Sequence, residues 1–477
     1  MSTKKNMSVV PSAPPHVVIV GGGSAAFSAA ITASELGARV TMINDGLPIG
    51  GTCVNVGCVP SKTLIRAADV VHRAQRHSFA GVETSGRVSD FKQVIAQKRA
   101  LVEELRQAKY VDVVADLPRF TRIDGRARLV SATEVEVDGR RLLADKIIIA
   151  TGARPASLPI AGLGEVGYLD NESAFELEAL PTSMLVVGGG YIALEVAQMF
   201  ARFGTKVTIV TRSRLLSREL PDIGDGLATF LVEEGVAVEN HVQIESVERE
   251  SGEAVLHGQR DGERVTFRAE HIVLATGRVP NTDALGLDAA GVKTDDRGFI
   301  RVNKHLQATA PGVWAAGDVA GGEMFVHTAA ADGARAARNA LSDASLLRSG
   351  QPTPWVVFTD PQVAGIGMDE RQASAAGFDA EAATLPMSYV PRALAARDTR
   401  GFIKLIRDRK TDRLLGARIL APEGSELLME LAVAIRGQLT IAELRELLHP
   451  YLTLSEGIKL AAITFGKDVS KLSCCAT

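Results

Sequence analysis

Cysteine is scarce in this sequence, with four in 477 residues. A disulfide-stapled fold is excluded, because such scaffolds are small and cysteine-dense. Aromatic side chains are also few, at 5% of the chain with only two tryptophans. No apolar run approaches the roughly 18 residues that a membrane-crossing helix needs. Neither sign of charge dominates. The 53 Lys+Arg are set against 56 Asp+Glu, for a net charge of -3, which argues against nucleic acid as the main partner. The first fifteen residues are polar and proline-rich, with Lys4 and Lys5 but no apolar stretch behind them. They read as a disordered tail and not as a secretory signal, and a cytoplasmic protein is expected.

Glycine, by contrast, is abundant at 45 residues. With so few aromatics, that suits an α/β protein with many tight strand-to-helix turns. At roughly 150 residues per domain the chain is long enough for about three. His16 to Val20 reads as a strand that breaks at Gly21-Gly22-Gly23. Ser24 to Leu36 reads as a helix and Arg39 to Ile43 as the next strand, which makes a βαβ unit. A second copy follows in Met184 to Val187, Gly188-Gly189-Gly190, Tyr191 to Arg202 and Lys206 to Val210. Two Rossmann-like nucleotide-binding domains are expected, one inserted in the other. The near-repeats Ile147 to Pro155 and Ile272 to Pro280 each read as a buried strand that breaks at a glycine, where the chain crosses between domains. Composition shifts near Gln351-Pro352-Thr353-Pro354. The antiparallel-type strands and helices after it predict a separate C-terminal α+β domain. The expected layout is a tail over 1–15, one nucleotide domain over 16–152 and 281–350, a second over 153–280, and the last domain over 351–477.

The first glycine motif is Gly21-x-Gly23-x-x-Ala26. Glycines there permit a tight turn and let backbone N–H groups approach a pyrophosphate at a helix N-terminus. The acid that usually meets the ribose at the end of the following strand is missing. Asn44 stands in its place, with Asp45 next. The second motif is Gly188-x-Gly190-x-x-Ala193, followed by Arg212, Arg214 and Arg218 and by no acid at the strand end. An acid would favour NAD, whereas arginine suits the 2′-phosphate of NADP, so NADPH is expected; a solvated basic turn is the plainer alternative. Gly317-Asp318 after the β run Gly312 to Ala316 is either a helix cap or a hydrogen-bonding partner for a flavin ribityl chain.

The remaining feature is Cys53-Val54-Asn55-Val56-Gly57-Cys58-Val59-Pro60-Ser61-Lys62. At the first turn of a helix, the N-terminal dipole favours the thiolate form of cysteine. A structural clip across five residues would contribute little to so large a core. A zinc site would need further ligands at suitable spacing, and none is near in sequence. A redox-active pair is the expected role.

With these motifs in place, the chain resembles the FAD-dependent pyridine nucleotide–disulfide oxidoreductase family from about His16 to its C-terminus. The resemblance implies that 16–152 and 281–350 bind FAD, that 153–280 bind NADPH, and that 351–477 form the interface of a homodimer. It implies an electron path from NADPH through FAD to the dithiol. Cys58 would face the flavin and Cys53 would exchange. Lys62 would pair with Glu195, and Tyr191 would gate the entry of the nicotinamide. Further cofactor contacts are expected at Ser24, Ala25, Ala26, Gly51, Thr52, Ala127, Thr151, Gly152, Arg278, Asp318 and Val326.

Two features set this chain apart from the reductases of disulfides. Those enzymes carry His-Pro and then Thr-x-x-Glu near the C-terminus, and the His protonates a leaving thiolate. Here the run is His449-Pro450-Tyr451-Leu452-Thr453-Leu454-Ser455-Glu456, which puts Tyr451 at the place of the base, unless His449 takes that role from a displaced position. Tyrosine, with its pKa near 10, is a poor acid–base at neutral pH. The second feature is the tail Ser473-Cys474-Cys475. Adjacent thiols make a strained disulfide but a good ligand pair for a soft, low-coordinate cation. Together these resemble the branch of the family that reduces Hg(II) to Hg(0) for mercury resistance. There Cys474 and Cys475 of one subunit would pass the ion, arriving as a thiol complex, to Cys53 and Cys58 of the other. A thioredoxin-reductase-like enzyme with a C-terminal redox relay is the nearest rival, and Tyr451 speaks against it. A dihydrolipoamide-dehydrogenase-like enzyme has no need of the terminal pair, and a flavin-free thiol protein has no need of the glycine turns. The extra N-terminal metal-binding domain of some members is not expected.

Overall fold

The computed structural model describes residues 13–348 and 352–471. The terminal pair Cys474 and Cys475 lies outside the described residues, as do the first twelve. The chain divides into two compact units. One comprises the residues up to Asn55 together with Glu103–Arg154 and Val279–Arg348, and the other comprises Val56–Val102, Pro155–Arg278 and the residues from Ser349 onward.

The first unit is built on a five-stranded parallel sheet in the order Val313–Ala315, Lys146–Ile149, His16–Val20, Arg39–Asn44, Phe120–Asp124. The central strand His16–Val20 is buried along its whole length, as a parallel strand covered on both faces should be. Val17 and Ile19 pack towards the helices Ser24–Glu35 and Val326–Leu341, while Val18 and Val20 pack towards a three-stranded antiparallel sheet of Ala127–Ser131, Glu134–Val137 and Arg140–Leu143. The two helices lie close because Ala25, Ala26, Ala29, Ala30 and Ala33 present only methyl groups. A Cβ added at Gly333 would fall 2.0 Å from the Ala25 carbonyl oxygen, so glycine is required at that crossing.

The second unit holds a four-stranded parallel sheet in the order Ala237–Glu239, Lys206–Val210, Ser183–Val187, His271–Leu274, beside an antiparallel three-stranded sheet over Gln243–Ala269. Its C-terminal part is a five-stranded antiparallel sheet in the order Trp355–Val357, Gln362–Gly367, Leu414–Ala421, Phe402–Asp408, Ala380–Pro386, with Leu428–Arg436, Ile441–Glu446 and Glu456–Ile463 packed on it. Helix Cys58–Gln75 lies against helix Tyr191–Phe203. A buried ion network stitches these elements. Arg202, 5% exposed, donates to Asp69 (2.5 Å), Glu234 (2.6 and 2.8 Å) and Asp360 (3.2 Å), and Arg400 reaches Asp360 at 2.9 Å. Burial pushes the Asp69 carboxyl up despite Arg202, whereas at Asp360 the pull of Arg400 and Arg202 outweighs burial and holds the carboxyl down.

The elements expected from the glycine turns and from the C-terminal pattern are present within a residue or two. In the C-terminal part, helix Leu428–Arg436 is preceded by a 3₁₀ turn, Gly424–Leu427, after Glu423 takes a left-handed φ of 52°. The amphipathic helix Phe91–Arg106 and both three-stranded antiparallel sheets had no sequence reading at all.

Candidate functional site

In the first unit the glycine turn is forced by backbone contact. Gly21 has φ +126°, and a Cβ there would lie 2.2 Å from the Ala150 carbonyl oxygen. A Cβ at Gly22 would meet the Asn44 side-chain oxygen at 2.1 Å. Gly23 caps the helix Ser24–Glu35 with no side chain over its N-terminus. The N–H groups of Ser24, Ala25 and Ala26 therefore head a helix with positive potential, which suits an anion. Gly51, at φ +63°, sits against Gly23, where a Cβ would come within 2.6 Å of its Cα. Asn44 donates to the Leu47 carbonyl at 3.0 Å, and Asp45 accepts from the Gly46 N–H at 2.8 Å. Asn44 thus stands beside the turn where an acid was expected.

Gly317, at φ +75°, opens the turn Gly317–Ala320 that carries Asp318, and a Cβ there would come within 3.1 Å of Ala25 and 3.2 Å of Ala329. This turn is held from behind by two residues with no sequence signal. Arg348 donates to the carbonyls of Ala320 (3.0 Å) and Gly321 (2.6 Å) and to Asp332 (3.0 Å). Burial pushes the Asp332 carboxyl up, opposed by Arg348, Arg335 and a backbone hydrogen bond from Gly317. Thr151 donates to the Asn281 carbonyl at 2.8 Å, and Gly152 accepts from the Asn281 N–H at 3.0 Å. Ala127 is buried in its strand, and Val326 begins its helix partly exposed. Thr52 and Cys53 lie on the short helix Gly51–Asn55. Asn55 fastens that helix to the carbonyls of Pro48 (2.8 Å) and Gly51 (2.9 Å), and Arg106 donates to it at 3.0 Å. Glycine cradles that a Cβ would fill, an uncapped helix and a braced aspartate fit a dinucleotide such as FAD.

In the second unit Gly188 repeats the first turn, with φ +133° and a Cβ position 2.4 Å from the Ala275 carbonyl oxygen. Gly190 caps the helix Tyr191–Phe203, again without a side-chain cap. At the end of the next strand stands buried Thr211, 3.0 Å from the Cβ position of Gly189. Arg212 and Arg218 are exposed. Arg214 instead turns inward and donates to the Glu219 carbonyl. Arg278 is half-buried and opposes the rise that burial and Asp170 impose on Glu172.

Cys58 is the first residue of the 18-residue helix Cys58–Gln75, capped by Gly57, so its thiol stands at the positive end. Cys53 and Cys58 are both partly exposed. One turn after Cys58, Lys62 Nζ donates to Glu195 Oε2 at 2.6 Å. The other oxygen of Glu195 accepts from the Phe358 N–H at 2.9 Å, and the Lys62 ammonium lies 4.6 Å from the centre of the Phe358 ring. Glu195 is 8% exposed, so this charge is paired out of water. Tyr191 stacks on Trp355. Neither Phe358 nor Trp355 was foreseen, because nothing local in their sequence marks them.

At the C-terminal end, Tyr451 is 54% exposed. His449 is turned inward. Its Nε2 bonds Glu430 at 2.8 Å and its Nδ1 meets the Leu447 carbonyl at 3.3 Å. Both ring nitrogens thus have intrachain partners. Among the described residues no helix is long and apolar enough to cross a membrane.

Comparison with known proteins shows the family. Residues 15–333 match the model for "Pyridine nucleotide-disulphide oxidoreductase", and residues 353–462 match that for its dimerisation domain. A mercuric reductase of Staphylococcus aureus is 41% identical over 96% of this chain and 84% of its own length. One of Shigella flexneri is 44% identical over 97% and 82%. Among solved structures, the HOCl-induced flavoprotein disulfide reductase RclA from Escherichia coli superposes with a TM-score of 0.85 at 32% identity, covering 94% of this chain and 99% of that one.

Proposed function

Since the chain belongs to the pyridine nucleotide-disulphide oxidoreductase family, we propose that it reduces Hg(II) to Hg(0) at the expense of NADPH, as a homodimer in the cytoplasm. Each cycle removes one hydride from NADPH, delivers its two electrons to the metal and releases one proton. FAD, when bound, supplies the relay between the nicotinamide and the sulfur pair. Gly21, Gly23 and the first turn of Ser24–Glu35 would hold its pyrophosphate, Asn44 its ribose, and Asp318 its ribityl chain. Lys62, anchored by Glu195, would support negative charge at the flavin. Gly188, Gly190, Arg212 and Arg218 would hold NADPH, whose 2′-phosphate suits arginines beside a strand that ends in Thr211 and not in an acid.

Cys53 and Cys58 would bind the substrate ion as a dithiolate, because soft thiolates suit a soft, low-coordinate metal. The partner subunit's Cys474 and Cys475 would deliver it. The observation that carries the reading is at the other end of the chain. With Thr453 and Glu456 aligned on the pattern of the disulfide reductases, Tyr451 falls at the place of the base. Disulfide cleavage needs a proton donor for the departing thiolate, whereas electron delivery to a metal held by two sulfurs needs none.

The test is NADPH oxidation by the purified flavoprotein with Hg(II) in excess small thiol, against oxidised glutathione, thioredoxin and lipoamide. Hg(II) should be turned over well above every disulfide. Rapid turnover of a disulfide, with Hg(II) acting only as an inhibitor, would overturn the proposal.

A further inference from the structure

Tyr191 ends a row of side chains that crosses the C-terminal sheet of the second unit. Trp355, Gly365 and Arg418 are register partners on three neighbouring strands. The indole of Trp355, 9% exposed, lies over Gly365, where a Cβ would come 2.4 Å from a ring carbon. Glycine in a strand interior weakens the strand, so its presence needs a reason, and room for the indole is one. Beyond it, the Arg418 guanidinium is 5.6 Å from the Trp355 ring centre. Arg418 is 2% exposed and is itself fixed by Glu219 at 2.6 Å and by the carbonyl of Ala417 at 2.9 Å. The indole is therefore held by both neighbours. The Tyr191 ring stacks on it nearly parallel, at 5.4 Å between centres and 17° between planes. Tyr191 is only partly buried, so the contact is not a need of the core. The same segment grips the helix one turn later, where the Phe358 N–H binds Glu195.

We propose that Trp355 is a positioning residue for Tyr191. It holds the tyrosine ring in one place just after the second glycine turn, so that the nicotinamide of NADPH docks beside a side chain that is already ordered. Gly365 and the Glu219–Arg418 pair serve by fixing the indole. This rests on the reading of Tyr191 as the gate for the nicotinamide. Ordering a group before binding removes the cost of ordering it during binding. A stacked aromatic pair contributes an amount worth about three- to tenfold in affinity.

The experiment measures NADP⁺ binding by calorimetry, and the KM values for NADPH and for Hg(II), on the flavin-loaded enzyme and its variants. Trp355→Ala should weaken NADP⁺ binding and raise the NADPH KM by about three- to tenfold, and leave the Hg(II) KM unchanged. Trp355→Phe, which keeps a stacking ring, should stay near wild type, and Trp355→Leu, which fills space without one, should behave as Trp355→Ala does. In a Tyr191→Ala background, Trp355→Ala should have no further effect. If Trp355→Ala does not fold, the Phe and Leu pair carries the test. Equal effects of Trp355→Ala with and without Tyr191, or a Leu variant equal to wild type, would overturn the inference while leaving the gate in place. Unchanged NADP⁺ binding in Tyr191→Ala alone would overturn the gate reading, and this inference with it.

Discussion

Lys62 Nζ stands 2.6 Å from Glu195 Oε2, so the helix that begins at Cys58 is tied to the helix that begins after the second glycine turn. The tie is charge-assisted and largely out of water, which makes it stronger than a surface pair. Glu195→Gln keeps the shape and the bond from the Phe358 N–H but removes the charge that orients Lys62. Turnover with Hg(II) should fall by about ten- to a hundredfold, the equivalent of one charge-assisted hydrogen bond. Far-UV circular dichroism should not change. Wild-type turnover in this variant would remove Lys62 from the electron path.

Arg202 is the shared partner of Asp69, Glu234 and Asp360. Its guanidinium is held in the charged form by these carboxylates in spite of burial. Arg202→Met leaves buried carboxylates uncompensated and should cost about 3–5 kcal/mol in urea unfolding at neutral pH. The pH dependence has a definite sign. Asp360 is depressed by Arg400 and Arg202, so its stabilisation is present above its unfolded pKa of 3.8 and is lost as pH falls through the lower folded value. Asp69 is raised by burial, so its contribution is full below 3.8 and is lost as pH rises through the higher folded value. Without Arg202 the Asp69 carboxyl loses its main opposing charge and rises further, while Asp360 keeps Arg400. The deficit of the variant should therefore shrink as pH is lowered from about 7 towards 4. A deficit that is constant with pH would show that the network is not the cause.

Gly333→Ala forces a methyl group towards the Ala25 carbonyl, 2.0 Å from the Cβ position, in the crossing that backs the first glycine turn. Overpacking of this kind costs about 1–3 kcal/mol. The purified variant should retain less FAD and melt lower. Gly164→Ala, where nothing lies within 4 Å of the added carbon, is the control and should be near neutral.

Arg212 and Arg218 are exposed after the strand Lys206–Val210. Replacing both by alanine should raise the KM for NADPH about tenfold, as loss of charge-assisted bonds to a phosphate does, and leave the KM for NADH nearly unchanged. Equal effects on the two coenzymes would remove the 2′-phosphate from the account.

What could be read from the chain was whatever is written locally. Gly21 and Gly188 announce turns because only glycine fits their φ and the carbonyls pressed against them. Cys53 and Cys58 announce a thiol pair by spacing alone. Trp355, Gly365 and Arg418 could not be read, because their alignment depends on the register of three strands, one of which is far away in the sequence. Asp332 and Arg348 were silent for a similar reason, since their partners are backbone carbonyls and an N–H of a distant turn. The bond of His449 to Glu430, nineteen residues away, was silent in the sequence for the same reason.

The central claim is that electrons from NADPH end on a metal held by Cys53 and Cys58. It is tested most directly by trapping elemental mercury in a gas stream while NADPH oxidation is followed. The expected result is one Hg(0) released per NADPH consumed, abolished in Cys53→Ser and in Cys58→Ser. NADPH consumption without mercury vapour, or vapour that persists in both serine variants, would contradict it.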